Sequence, residues 1–310
     1  MNRIDIHTHY LPPAYYAMLH KRKMTVLDGG MPTPEWTPEL HLQNMDALSV
    51  SLACLSVSSP NLHMGDADEA IETARACNEY GTMLMRTYPG KFRIMASLPL
   101  PEIEASVQEI RYCRNTLGIR TFSLMTNSRG MYLGDPALDP VMEELNRMQA
   151  VVSIHPTEPS SVPEGCCEML PFPLMEFFFD TTRTIVNMIF HRVFQNYPDI
   201  RFIIPHAGAF LAVLSDRLLG IPQVFPDLAG IDVEKSMADL YYDLAGVSMP
   251  KQFGDLKKIV PADHLLYGSD GTFTPLPLCR KLAADMDNKL TESEKHLIYQ
   301  KNAERLLDSE

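Results

Sequence analysis

Short apolar runs recur along this chain, each followed by a longer amphipathic stretch. The runs fall at 3–6, 51–57, 91–97, 118–124, 151–154, 200–204, 240–244 and 265–268. They are too short for buried helices and lack the clean polar alternation of a half-exposed sheet, so they read as strands buried on both faces. The intervening stretches predict helices over 39–48, 67–85, 101–114, 136–149, 175–196, 209–219, 250–260, 277–286 and 292–307. Asp66 and Asp135 stand where N-caps belong, and Pro38, Pro101 and Pro136 sit at helix starts. Strands that alternate with helices form a parallel sheet, and eight such units predict a closed (β/α)8 TIM barrel.

Residues 10–40 break the alternation. Leu11-Pro12-Pro13 turns the chain, 15–23 forms a short helix, Asp28-Gly29-Gly30 is a turn, and Pro32, Pro34 and Pro38 keep the rest extended. This segment reads as a small insertion after strand 1, packed over the barrel mouth. With no internal repeat and no low-complexity linker, residues 1–310 read as a single domain.

Polar residues with metal-ligand chemistry collect where the apolar runs end. His7 and His9 follow strand 1, His155 follows strand 5, His206 follows strand 6, and Asp270 follows strand 8. In a (β/α)8 barrel the C-terminal strand ends carry the active site. Residues two apart on a strand project to the same side, so His7 and His9 can share one point in space. Three neutral imidazoles and one carboxylate suit a mononuclear divalent metal with a coordination position left open. His7, His9, His155 and Asp270 are therefore the expected ligands. Zn²⁺ is the first choice and Mn²⁺ accepts the same set. His206 is assigned as the acid or base beside the metal, because an imidazole titrates near neutrality.

Composition narrows the function further. The 310 residues carry a formal net charge of −12, which excludes the basic surface that nucleic-acid binding needs. No apolar run is long enough to span a membrane, and the N-terminus shows no export signal, so a cytoplasmic location is expected. The six cysteines form no C-x-x-C pair and read as reduced, mostly buried thiols, the adjacent Cys166 and Cys167 included.

Several stretches resemble the amidohydrolase superfamily, and within it the branch of aminocarboxymuconate-semialdehyde and γ-resorcylate decarboxylases. They are Asp5-Ile6-His7-Thr8-His9, Ile154-His155-Pro156, Asp180-Thr181-Thr182-Arg183, Pro198-Asp199-Ile200-Arg201-Phe202, His206-Ala207-Gly208, Arg217 and Leu266-Tyr267-Gly268-Ser269-Asp270. The resemblance implies a metal on His7, His9, His155 and Asp270, and a catalytic His206. It also implies that Arg217 binds a substrate carboxylate, in a partner subunit's site, and hence a homodimer or a dimer-based oligomer. Arg183 reads as an anchor for a barrel helix.

Three departures shape the expected substrate. Phe122-Ser123-Leu124-Met125 stands where hydrolase branches carry a bridging lysine, which disfavours two metals. His41 and Gln43 replace arginines of the semialdehyde decarboxylase, which disfavours a doubly anionic substrate. Gly271-Thr272-Phe273 alters the pocket wall beside Asp270. The expected activity is nonoxidative decarboxylation of a small salicylate-like aromatic acid, with His206 or Asp270 supplying the proton. Phe172, Phe177 and Phe178 are candidates for an apolar surround. The alternatives are metal-dependent hydrolysis of a lactone or related carbonyl substrate, hydration of an unsaturated diacid, and metal binding without turnover.

Overall fold

The computed structural model describes residues 1–307. Eight parallel strands form the frame: β1 (Arg3–His9), β2 (Val50–Ser56), β3 (Phe92–Ile94), β4 (Thr121–Met125), β5 (Val151–His155), β6 (Arg201–Ile204), β7 (Tyr241–Asp243) and β8 (Leu265–Leu266). One ladder runs β1-β2-β3, and a second continues from Ala96–Ser97, just past β3, through β4, β5, β6, β7 and β8. The ring closes between β8 and β1. Ile6 N–H donates to Tyr267 O at 3.0 Å, Asp270 N–H donates to His7 O at 2.8 Å, and Thr8 bridges Gly271. The fold is the expected (β/α)8 barrel.

Strand 1 is longer than the sequence reading, which ended it at Ile6. Its pairing with β2 carries on to His9 opposite Ser56, after a one-residue slip between Asp5 and Thr8. A slip of this kind reverses the face that later side chains take. Ile4 and Ile6 therefore join an apolar cluster with Cys54, Met95, Val151, Ile203 and Leu266, contributed from around the barrel. Ala303, Leu306 and Leu307 of the last helix pack on that cluster. Past the slip, His7 and His9 face the same interior. The larger apolar layer lies between strands and helices, where Phe122, Val152, Ile154 and Ile204 meet Ile110, Val141, Ile185 and Leu211.

Helices form where capping and periodicity place them, with differences at several ends. Asp66 caps Ala67–Thr87 by accepting from Glu69 N–H at 3.1 Å. Asp135 caps a single 3₁₀ turn, Pro136–Leu138, before the helix Asp139–Arg147. The helix read over 175–196 is two, Glu176–Phe190 and Val193–Asn196, divided where Arg192 turns left-handed at φ 60°. A short helix, Val233–Ala238, capped by Asp232, precedes β7 and has no counterpart in the sequence reading.

Within residues 10–40 the chain forms the helix Pro13–Lys21 and a two-stranded ribbon, Val26–Leu27 with Met31–Pro32. The ribbon turn packs on the loop that follows β5. Phe172 N–H donates to Asp28 O at 2.9 Å, and Ser59 links the Asp28 carboxylate (2.6 Å) to the Thr157 hydroxyl (2.9 Å). Of the six cysteines, Cys54, Cys77, Cys113 and Cys279 are buried, while Cys166 and Cys167 are exposed on that loop.

Candidate metal centre

The strand ends bring together the residues that the sequence singled out. His7 and His9 close β1 and His155 closes β5. His206 lies two residues past β6 and Asp270 four past β8. One ligand atom from each of His7, His9, His155 and Asp270 lies within 4.8 Å of all the others. Among the described residues this is the one group of three or more potential ligands so placed. The Asp270 Oδ1 atom is 3.2 Å from His9 Nε2 and 3.4 Å from His7 Nε2, and His206 Nε2 is 3.8 Å from Asp270 Oδ2.

The backs of the three imidazoles are all engaged. Nδ1 of His7 meets Asp243 Oδ2 at 2.9 Å, Nδ1 of His9 meets Ser56 Oγ at 3.0 Å, and Nδ1 of His155 meets Pro156 O at 2.7 Å. A carboxylate and a carbonyl only accept, so Nδ1 of His7 and of His155 carries a proton and Nε2 is the atom left to face a cation. Nε2 of His7 is buried without a hydrogen-bond partner. An orphaned buried nitrogen beside two further imidazoles and a carboxylate is what a divalent cation satisfies, so the donor set fits the implied metal.

Electrostatics point the same way. Burial lowers the His9 imidazole, and burial together with the neighbouring histidines holds His155 well below the usual range. Burial also disfavours a charged His7, but Asp243 and Asp270 outweigh it and raise that group. Burial opposes ionisation of Asp270 too, and the surrounding His206, His7 and His9 override it, holding the carboxyl well below its ordinary value. The cluster thus offers an ionised carboxylate among imidazoles, two of which burial keeps neutral.

The rim is held by close backbone contacts. Asp5, whose carboxyl burial pushes up to about 7, accepts from Ser269 N–H at 3.0 Å and His7 N–H at 3.2 Å. Gly268 lies against β1, and a Cβ there would come within 2.7 Å of the His7 Cβ, so the position admits only glycine. Thr274 donates to Asp270 Oδ2 at 2.8 Å. Three aromatic rings wall the cluster. Phe178 is tilted 31° to His206 at 5.6 Å, and Phe273 meets His9 edge-on at 5.6 Å. Phe177 meets His155 edge-on at 6.3 Å. Phe172, the remaining aromatic candidate, packs instead on Gly29.

Other candidates lie elsewhere. Arg217 is exposed on the helix Leu211–Val224, outside the cluster. Arg183 pairs with the buried Asp180 at 3.1 Å, which suits a helix anchor. His41 is buried and accepts from Trp36 Nε1 at 3.1 Å, so it belongs to the packed shell. Sequence reasoning missed Asp243, Ser56, Gln252 and Thr274. Asp243 had a readable signal, a lone acid near the end of an apolar strand.

A family model described as amidohydrolase matches residues 4–308. The chain belongs to the amidohydrolase family. The chain is 33% identical over 303 residues to the decarboxylase macB of Penicillium terrestre, covering 93% of this chain and 89% of the relative. It is 31% identical over 281 residues to the 6-methylsalicylic acid decarboxylase of Penicillium expansum, covering 87% and 85%. Among solved structures, an amidohydrolase II superposes with a TM-score of 0.94 at 40% identity, over 99% of this chain and all (100%) of the other. A manganese-bound 5-carboxyvanillate decarboxylase from Novosphingobium aromaticivorans superposes at 0.88 with 20% identity, over 99% and 97%.

Proposed function

We propose that this member of the amidohydrolase family is a metal-dependent nonoxidative decarboxylase that releases CO₂ from a small salicylate-like aromatic acid. The carrying observation is the four-ligand cluster on a barrel whose relatives at 31–33% identity, over 87–93% of this chain, are named decarboxylases, one of them of 6-methylsalicylic acid. His7, His9, His155 and Asp270 would hold the ion. It would supply Lewis acidity to the two oxygens that an ortho-hydroxy carboxylate presents side by side. Zn²⁺ is the first candidate and Mn²⁺, found in the 5-carboxyvanillate enzyme, the second.

The chain's own residues do the rest. Phe177, Phe178 and Phe273 line the cluster with aromatic surface, which disfavours a charged carboxylate and stacks on a ring. Among the described residues, no lysine or arginine pairs with Asp270. That supports a monoanionic substrate over a dianionic one. A proton delivered by His206, or taken up from solvent or substrate and passed on by Asp270, to the carboxylate-bearing carbon breaks aromaticity, and CO₂ leaves as the ring recovers it. Thr274 fixes the orientation of Asp270 for this step.

We place residues 1–310 in one domain, with 10–40 over the barrel mouth. That placement is supported by the contact of the 28–30 turn with the loop after β5. The exposure of Arg217 suits a homodimer in which it enters a partner's site. Arg217→Ala is then expected to raise KM about tenfold with metal content unchanged. Among the described residues, no helix is long and apolar enough to cross a membrane.

The deciding experiment is CO₂ release by metal-loaded protein from a panel of ortho-hydroxybenzoates, including 6-methylsalicylate and 2,6-dihydroxybenzoate. Release that chelation abolishes supports the reading. No release from any of them, with metal confirmed bound, moves the assignment to hydrolysis, and lactones become the next substrates.

A further inference from the structure

Asp243 ends β7 with 0% exposure, and its two oxygens face two different parts of the site. Oδ2 takes Nδ1 of His7 at 2.9 Å. Oδ1 accepts the backbone N–H groups of His206 and Ala245, both at 3.0 Å. The stretch it grips is unusual, because His206, Ala207 and Ala209 all have left-handed backbone angles, with φ of 54°, 52° and 51°. Non-glycine residues hold such angles only where surrounding bonds enforce them. Here the second restraint is Gln252, whose amide donates to His206 O at 2.5 Å and Ala209 O at 3.1 Å.

We propose that Asp243 is a positioning residue that couples the two halves of the centre. One oxygen fixes the tautomer of His7 so that Nε2 offers its lone pair, and the other sets where the His206 ring stands. The metal half of this proposal rests on the ligand assignment above, whereas the tautomer and the His206 placement do not. The amide introduced by Asp243→Asn cannot reproduce both contacts. With its NH₂ turned toward His7, that ring would have to accept at Nδ1, and its proton would move to Nε2 and block the ligand atom. With its NH₂ turned toward the backbone, three N–H donors would face one another with no acceptor.

The first test needs no variant. In metal-free wild-type protein with ¹⁵N-labelled histidine, His7 is expected to carry a proton on Nδ1 that is protected from exchange. An Nδ1 without a proton there overturns the proposal. In Asp243→Asn the Nδ1–H signal is expected to disappear, and metal affinity to fall about 10- to 100-fold, the usual range for losing such a partner. Retention of the signal together with affinity within about twofold of wild type also overturns it. Gln252→Ala separates the halves. It should leave metal affinity unchanged and lower kcat about tenfold at saturating metal, and an unchanged kcat removes the His206 half. Because the tautomer and the affinity are read without substrate, the wrong reaction class leaves both results interpretable.

Discussion

The two arcs of the barrel mouth differ sharply in what their strand ends carry. From β5 through β8 to β1 the ends supply His155, His206, Asp243, Asp270, His7 and His9. From β2 through β4 they supply Ser56, Ser97 and Met125, and Met125 lies opposite His155 in the β4–β5 pairing. One arc can therefore bind and ionise, while the other offers hydroxyls and a thioether. A second cation would have to share ligands from the poor arc, where Met125 has no charge to give. The contrast is the structural basis for expecting one metal per chain.

The largest effects belong to the rich arc. His155→Ala should abolish metal binding and turnover together, because it removes one of four converging ligands. His206→Ala should keep one equivalent of metal and lose about 10²- to 10⁴-fold in kcat, the usual size of a general acid or base contribution. Metal analysis beside single-turnover rates checks both. Full turnover in His206→Ala would remove its catalytic role, and metal retained by His155→Ala would break the ligand set.

Both histidines were visible in the sequence, and the reason lies in how barrels encode their sites. A buried strand must be apolar, so a histidine at its end stands out, as in Val151-Val152-Ser153-Ile154-His155. The eight strands were legible on the same ground. What stayed hidden were features with no compositional trace. Ile4 to His7 alternates apolar and polar residues, and nothing in it marks the slip that brings Ile6 and His7 to one side. The break at Arg192 occurs without glycine or proline, because the chain must turn back toward β6. Asp243 was overlooked because the run was read through to Leu244, which put the acid inside the strand, whereas the strand ends at Asp243.

A histidine from the packed shell gives the next effect. His41 sits among apolar groups, accepts from Trp36 Nε1, and burial with the nearby His9 lowers it to about 4. Unfolded, the same imidazole takes a proton near its ordinary 6.5. The unfolded chain therefore binds more protons between these values, and stability is lost as pH falls from 6.5 to 4, by about 3 kcal/mol in all. His41→Gln lacks that proton, so its stability should fall less across the window. Urea unfolding of both proteins at intervals from about pH 7 to pH 4 reads the difference directly, since the other titrating groups cancel. Parallel curves would mean that His41 is solvated and available to the site after all.

The smallest effect sharpens the contrast between the arcs. Among the described residues, Ser56 is the one strand-end residue of the poor arc whose side chain hydrogen-bonds a ligand imidazole, through Oγ at 3.0 Å from Nδ1 of His9. Its own carbonyl lies 3.4 Å from the same nitrogen, so Ser56→Ala leaves an acceptor on the same side and His9 keeps its tautomer. The loss is then one modest hydrogen bond, about 1 kcal/mol, or roughly fivefold in metal affinity. Nδ1 of His7, by contrast, has Asp243 as its only hydrogen-bond partner among the described residues. Competition titration with a chromophoric chelator resolves a change of this size from the larger loss expected of Asp243→Asn. If Ser56→Ala weakens binding as much as Asp243→Asn does, the support is spread evenly around the mouth. A backup acceptor would then not be what makes one arc tolerant and the other exacting.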